Sequence, residues 1–356
     1  MTTKKKRSVQ SGKKPATMRD VAHRAGVSVA TVSRALDGSS SVTQETALLV
    51  QNAVEALDFV PNISARTLKY GQSRALGVII PDLTNPFFFE FLREFEALAS
   101  ANEQVVILAN AETSTGGARS SVRQMLMRLV DGVVVMPSID ELEPYQLLTL
   151  RKVPTVAIDS RRVGPYFSDV SLMHETGMIQ AVGYLKELGH RRIAFIAGSE
   201  GLLISSIRLE AFRSALQKHQ IPQRKEYIRA GNYRVDGGDR EMRALLALRD
   251  RPTAVITIND MTALGALRAA REVSVSVPGE VSVIGFDGIE LDAVVSPTLT
   301  TIRVSRELLA KHCHAALTEL KDSQNHEGRQ FMVPVDLVLR QSAGPAPRPL
   351  KPRSST

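Results

Sequence analysis

After Arg74 the chain alternates between two patterns. Short runs rich in Val and Ile (ALGVIIP, QVVILAN, DGVVVMP, VPTVAID, RIAFIAG, AVITI and VSVIGFD) are separated by segments of helical spacing at 86–101, 118–130, 174–188, 204–218, 236–249 and 260–271. Apolar runs of this length, joined by helices, are what a parallel sheet covered on both faces requires. The alternation therefore predicts an α/β architecture, and its repetition predicts two parallel-sheet subdomains with a cleft between them. Asp82, Asn110, Asp159, Asn259, Asp260 and Asp287 fall at or just after strand ends. In open α/β sheets a ligand sits beyond those ends.

The first part of the chain follows a different pattern. Met18, Val21, Ala22 and Ala25 recur at helical spacing, and Gly26 supplies a turn. Ser28 is placed to cap a second helix bearing Val29, Val32 and Leu36, and Thr43 a third bearing Ala47, Val50, Val54 and Leu57. Helix, Gly-containing turn and helix make a helix-turn-helix, in which the N-terminal residues of the second helix face base edges in the major groove. Here those residues are Ser28, Val29, Ala30 and Thr31, followed by Ser33 and Arg34. Small side chains at 29 and 30 let the helix sit deep, and Val29 suits a thymine methyl. Arg34 can reach guanine or phosphate, while Thr17, Ser28, Thr31, Ser33 and Asn62 carry the polar groups that hold phosphate. A small helical bundle for protein contact has the same spacing.

Charge favours the first of these readings. Residues 1–73 hold eleven Lys and Arg against five Asp and Glu, six of the net eight positive charges on 356 residues. A basic arm on a small helical head is attracted to polyanions, although a tail that only aids solubility has the same charge. No window carries the ~18 or more apolar residues of a membrane span, and the basic start is followed by no apolar segment of a secretory signal. One cysteine, Cys313, excludes an intramolecular disulfide framework and fits a reducing cytoplasm. His312-Cys313-His314 has metal-binding residue types. Neighbours on a helix point ~100° apart, however, so the three cannot converge on one ion. Neither a metal nor a cofactor is expected.

Six stretches, TMRDVAHRAGVSVATVSRALDG, VPNISARTLKYGQS, GVIIPDLTNPFFFEFL, KELGHRRIAFIAG, NDMTALGAL and VPGEVSVIGFD, resemble the lactose/galactose repressor (LacI/GalR) family of bacterial regulators. The resemblance runs from Thr17 to Ser342, with the motifs in order. It implies an N-terminal helix-turn-helix head at 17–61, a hinge helix at 62–73 and a type I periplasmic-binding-protein-like sensor at 74–342. Residues 1–16 lie outside it and read as an added, disordered basic arm, and residues 343–356, rich in Pro and basic residues, read as a disordered tail. By the same resemblance, Leu68 wedges into the minor groove at the operator centre, with Ala65 beside it. Wedging of this kind costs a few kcal/mol of unstacking, which contacts on the kinked duplex offset.

Carried over position by position, the family's effector contacts fall on Phe87, Phe88, Asp159, Arg208, Tyr233, Asn259 and Asp287. A carboxylate that takes two hydroxyls, an Arg fork and aromatic rings form a coherent set for a sugar or sugar acid. The same residues have plainer readings. The two Phe residues suit a core, and Asp159, Asn259 and Asp287 suit helix caps. Ile204 stands where some relatives offer a hydroxyl. Glu103-Gln104 and the REVSVSVP stretch lack an expected Gly, and His174-Glu175 replaces a frequent Asp–Asn pair.

The expectation is a cytoplasmic, homodimeric DNA-binding transcriptional regulator. It would act as a repressor at a pseudo-palindromic double-stranded operator and be gated by a small molecule. A dual activator and repressor of carbon metabolism is the alternative. A transporter's solute-binding protein would need an export signal and no DNA head, and an enzyme would need a paired acid and base, for which only Asp159 and Asp287 offer themselves. No leucine heptad follows residue 342, so a dimer without a tetramerising tail is expected.

Overall fold

The computed structural model describes residues 16–37, 39–59, 72–111, 117–136 and 143–347. Asn62, Ala65, Leu68 and the arm at 1–15 lie outside the described residues. The chain divides into two compact units at Ser73/Arg74.

The first unit is built on three short helices, α1 (Met18–Ala25), α2 (Val29–Leu36) and α3 (Gln44–Ala56). Each starts where a hydroxyl satisfies its first amides. Thr17 and Asp20 form a reciprocal capping box, Ser28 Oγ accepts from the Thr31 amide, and Thr43 Oγ1 accepts from the Thr46 amide. Gly26, at φ 67°, ends α1 in the left-handed region, and the Val27 amide returns to the Ala22 carbonyl at 3.1 Å. Val21, Ala22, Ala25, Val32, Val50, Ala53 and Phe59 form the core. Its four larger side chains are worth about 1.5–3 kcal/mol each on burial, so losing any one removes much of the head's stability.

The second unit has two lobes. In chain order the first lobe contributes β1 (Ala75–Ile80), α4 (Pro86–Ala101), β2 (Val105–Asn110), α5 (Gly117–Met127), β3 (Gly132–Val135), α6 (Glu143–Leu150), β4 (Thr155–Ile158) and β5 (Phe167–Leu172). The second contributes α7 (His174–Glu187), β6 (Ile193–Ala197), α8 (Leu203–Lys218), β7 (Ile228–Ala230), α9 (Val235–Leu246), β8 (Ala254–Thr257), α10 (Asp260–Glu272), β9 (Ser282–Asp287) and β10 (Thr300–Val304). The chain then returns through α11 (Arg306–Asp322) and β11 (Gln330–Val333) to the first lobe and ends in β12 (Val335–Val338) on the second. The sheet orders are β11-β5-β4-β3-β1-β2 and β12-β10-β9-β8-β6-β7. All pairings are parallel except β10 with β12. Every residue of β1 and β9 is buried, as continuous apolar runs between two helical layers demand. The lobes are joined by three crossings, near Met173, Ser305 and Pro334, and the Met173 amide bonds the Val333 carbonyl at 2.9 Å.

Residues 343–346, expected to be disordered, are packed. Ala343 is buried, the Gly344 carbonyl accepts from the buried His190 ring at 2.9 Å, and the Ala346 amide bonds the Leu188 carbonyl at 2.8 Å. Small residues read as disorder in the sequence here lie flat against the second lobe.

Candidate functional site

In the head, α2 turns Val32 inward and its N-terminal face outward. Val32 is 0% exposed in the core, whereas Val29 is 42% exposed and Ser28, Ala30 and Arg34 are exposed beside it. Thr31 and Ser33 are half-buried, with Ser33 Oγ donating to Asp37 at 3.4 Å. Ser28 and Thr31 share a hydroxyl contact at 2.9 Å, and the Arg34 side chain lies back along the helix with Nε on the Ala30 carbonyl at 3.3 Å. The Thr17 hydroxyl donates to Asp20 at 2.7 Å. This bond holds the Asp20 carboxyl below its ordinary value and fixes the first turn of α1. The exposed end of α2 is thus small, uncharged at 28–31 and flanked by one cation, a shape that can enter a groove.

In the sensor, the carboxyl ends of both sheets face a cavity of about 560 Å³. All seven expected contacts line it: Phe87, Phe88, Asp159, Arg208, Tyr233, Asn259 and Asp287. Asn85, which caps α4 ahead of Pro86, brings the two rings in, and they meet edge to face at 5.6 Å. Phe87 is buried in the core and Phe88 half-buried, so Phe88 offers the accessible ring. On the opposite wall α8 carries Arg208, only 6% exposed. Its Nη2 donates to Asp287 Oδ1 at 3.1 Å, Nη1 donates to the Ile258 carbonyl, and the guanidinium lies 3.7 Å from the Phe286 ring centre. Its buried Nε has no partner among the described residues. Burial raises the Asp287 carboxyl above its ordinary value, and Arg208 and Arg306 pull the other way.

Asp159 and Asn259 already have partners. Asp159 Oδ1 accepts from the Leu172 amide at 2.8 Å, and Oδ2 faces His174 Nε2 at 3.0 Å. Asn259 caps α10: its Oδ1 takes both the amide and the hydroxyl of Thr262, and its Nδ2 donates to the Tyr233 carbonyl at 3.0 Å. One N–H is all Asn259 has left for a ligand, so its capping and lining roles coexist. The Tyr233 ring is seated on Gly198, where a Cβ would come within 2.2 Å of it, and burial pushes its phenol up to about 12. Asp159, Tyr233 and Asp287 all hold positive φ, at 58°, 65° and 115°. Such strain persists only where its surroundings enforce it, and it clusters at ligand sites.

Some lining residues escaped the sequence reading. Asn85, Ser199, Leu202, Asn232 and Arg234 also line the cavity, and Arg234 pairs with Asp82 from the other wall at 3.4 Å. Their signal was position: each lies within a few residues of a strand end. His312, Cys313 and His314 diverge, with His312 beside the Phe331 ring, Cys313 buried, and His314 on Gln104 at 2.9 Å.

Residues 17–62 match bacterial regulatory proteins, lacI family, and residues 182–343 match the periplasmic binding protein-like domain. The HTH-type transcriptional repressor PurR of Pectobacterium carotovorum subsp. carotovorum (strain PC1) is 32% identical over 336 residues, 93% of this chain and 98% of that protein. The chain belongs to the LacI family. Among solved structures, the Lac repressor dimer bound to operator and the anti-inducer ONPF aligns with a TM-score of 0.82 at 29% identity, covering 93% of this chain and 100% of that one. The transcriptional regulator CelR in complex with cellobiose aligns at 0.69 and 26% identity, covering 92% and 99%. This LacI-family chain is therefore a DNA-binding transcriptional repressor with a small-molecule sensor domain. No helix among its described residues is long and apolar enough to cross a membrane.

Proposed function

We propose that this LacI-family repressor works in the cytoplasm as a homodimer, with two copies of α2 reading the half-sites of a pseudo-palindromic operator. Val29 and Ala30 would meet base edges. Ser28, Thr31, Ser33, Arg34 and the first turn behind Thr17 would set the register on phosphates, with Asn62, Ala65 and Leu68 completing the interface at the hinge. The supporting observation is the polarity of α2: Val32 is sealed in the core while Val29 and Ala30 stand free. Selection of bound fragments from random duplex, followed by sequencing, tests this. A recovered two-fold motif that shifts on exchanging residues 29 and 30 supports the reading, and an unchanged motif overturns it.

The effector is a sugar or sugar acid held between the Phe88 and Tyr233 rings and the polar groups of Arg208, Asp287, Asp159 and Asn259. A cavity that couples aromatic faces to an Arg–Asp fork suits a ring bearing vicinal hydroxyls. The same residues argue against turnover. Asp159 and Asp287, a pair that could act as acid and base, are each engaged, with His174 and Arg208 respectively. Thermal-shift screening of hexoses, pentoses, nucleosides and aldonic acids would identify the class, and product analysis after incubation would expose any reaction.

A further inference from the structure

The turn that carries Asp287 touches more than the cavity. Its φ of 115° is held from behind by Asp260, whose Oδ2 accepts from the Gly288 and Ile289 amides and whose Oδ1 accepts from Thr301 Oγ1 at 2.6 Å. From the other side Arg306, the first residue of α11, gathers the turn's carbonyls. Its Nη1 donates to the Asp287 carbonyl at 3.0 Å and its Nη2 to the Gly288 carbonyl at 2.6 Å. The same Nη2 donates to Glu90 Oε2 at 2.6 Å. The other oxygen of Glu90 accepts from the Glu290 backbone amide at 2.9 Å. Glu90 lies on α4, one turn after Phe87 and Phe88, in the first lobe; the turn at 287–290 belongs to the second.

We propose that Glu90 is a positioning residue that carries contact at Asp287 into the first lobe. It grips the effector-bearing turn at two points, the Glu290 amide directly and the Asp287–Gly288 carbonyls through Arg306. The pair is enclosed, with side-chain exposures of 10% for Arg306 and 12% for Glu90, so it escapes the screening that weakens surface ion pairs. The Arg306 guanidinium also lies 5.3 Å from the Phe87 ring centre. A ligand that draws the Asp287 carboxylate forward must rotate a turn whose main chain is tied to α4. The two walls of the cavity are thus joined at this seam by a continuous hydrogen-bonded chain, a physical route for coupling between them. Arg93 of α4 also reaches the turn, at Glu290 Oε1, but that pair is exposed and lacks this enclosure.

The inference rests on reading the cavity as the effector site, yet its test needs no effector, so failure of a sugar screen and failure of the coupling are separable. Hydrogen exchange is followed in the full chain over peptides 86–92 and 286–292. Arg208→Met removes the partner of Asp287, and Asp287→Asn repeats the perturbation with the shape kept should Arg208→Met not fold. In the Glu90 background either change should speed exchange in both peptides, by about tenfold at the Asp287 turn. In the Glu90→Ala background the 286–292 peptide should still respond while 86–92 gains nothing further. Glu90→Gln, which keeps one acceptor oxygen and puts an N–H donor in place of the other, should restore at most part of the transfer. Equal increments at 86–92 with and without Glu90 would show that the residue only supports its own helix, and would overturn the proposal.

Discussion

Asp292 sits near the Asp287 turn with no exposed surface, beside the equally buried Asp260. Burial pushes its carboxyl up to about 7, against the pull of Arg340, while burial and the neighbouring carboxylates raise Asp260. The folded chain therefore keeps a proton that the unfolded chain releases near pH 4. Stability contributed by that proton is present at low pH and is lost as pH rises from about 4 through about 7. Between pH 5 and 8 the melting temperature should fall, and in Asp292→Asn that slope should flatten. The difference at pH 8 should exceed about 1 kcal/mol, or about 2–4 °C by calorimetry. Arg208 gives the opposite case. Arg208→Ala leaves a buried carboxylate without its cation, a loss of about 3–5 kcal/mol. In urea denaturation that loss should shrink as pH falls, because burial already raises the Asp287 carboxyl and removing Arg208 takes away a cation that held it down. The same variant should abolish the thermal shift given by whichever sugar stabilises the wild-type chain, while duplex binding survives.

At the scale of elements, α2 depends on its cap and on its outward face separately. Ser28→Ala should cost the head about 1 kcal/mol, seen as earlier melting of the isolated transition, because the Thr31 amide loses its acceptor. Exchanging Val29 for a polar residue should leave that melting unchanged and alter base preference by about 1–3 kcal/mol at one position in each half-site. These elements were legible in the sequence because their signals are local: a hydroxyl before each helix, Gly at the turn, and apolar residues at helical spacing. Six helices between strands were equally plain, whereas α6 and α11 were not, and the residues expected at the cavity came from the family resemblance rather than from local signals. β5 was not. Its Ser168, Asp169 and Ser171 are buried, and Asp169 takes bonds from the amides of Ser160 and Arg161 and from Gln330, a residue 161 positions away. A strand whose polar groups are satisfied by distant partners shows no alternation that a local reading can use. The same reason hid Glu90, which looks like one more acid on the solvated face of α4 until Arg306 is folded against it.

The whole molecule separates reading from attraction. On the proposed reading base-edge recognition falls to α2, whereas the excess charge lies largely before it, with Lys4, Lys5, Lys6, Arg7, Lys13 and Lys14 in the first sixteen residues. Each phosphate neutralised releases condensed counterion and adds about 0.9 to the slope of log affinity against log salt. A dimer that engages 6–10 phosphates should therefore lose about 10³–10⁵ in affinity between 50 and 200 mM salt, measured by fluorescence anisotropy on a selected duplex. Removing residues 1–15 should make that slope shallower and weaken specific and random duplexes alike, because the arm has no base to read. Leu68→Ala should do the reverse, since a wedge acts only where the central step is kinked: specific binding falls steeply while random binding and the salt slope hold. If the truncated chain kept the full slope, the charge that draws this repressor to DNA would have to lie in the head itself, where Arg19, Arg24, Arg34, Arg66 and Lys69 are matched by five acids. That even balance is why the arm is expected to carry the effect.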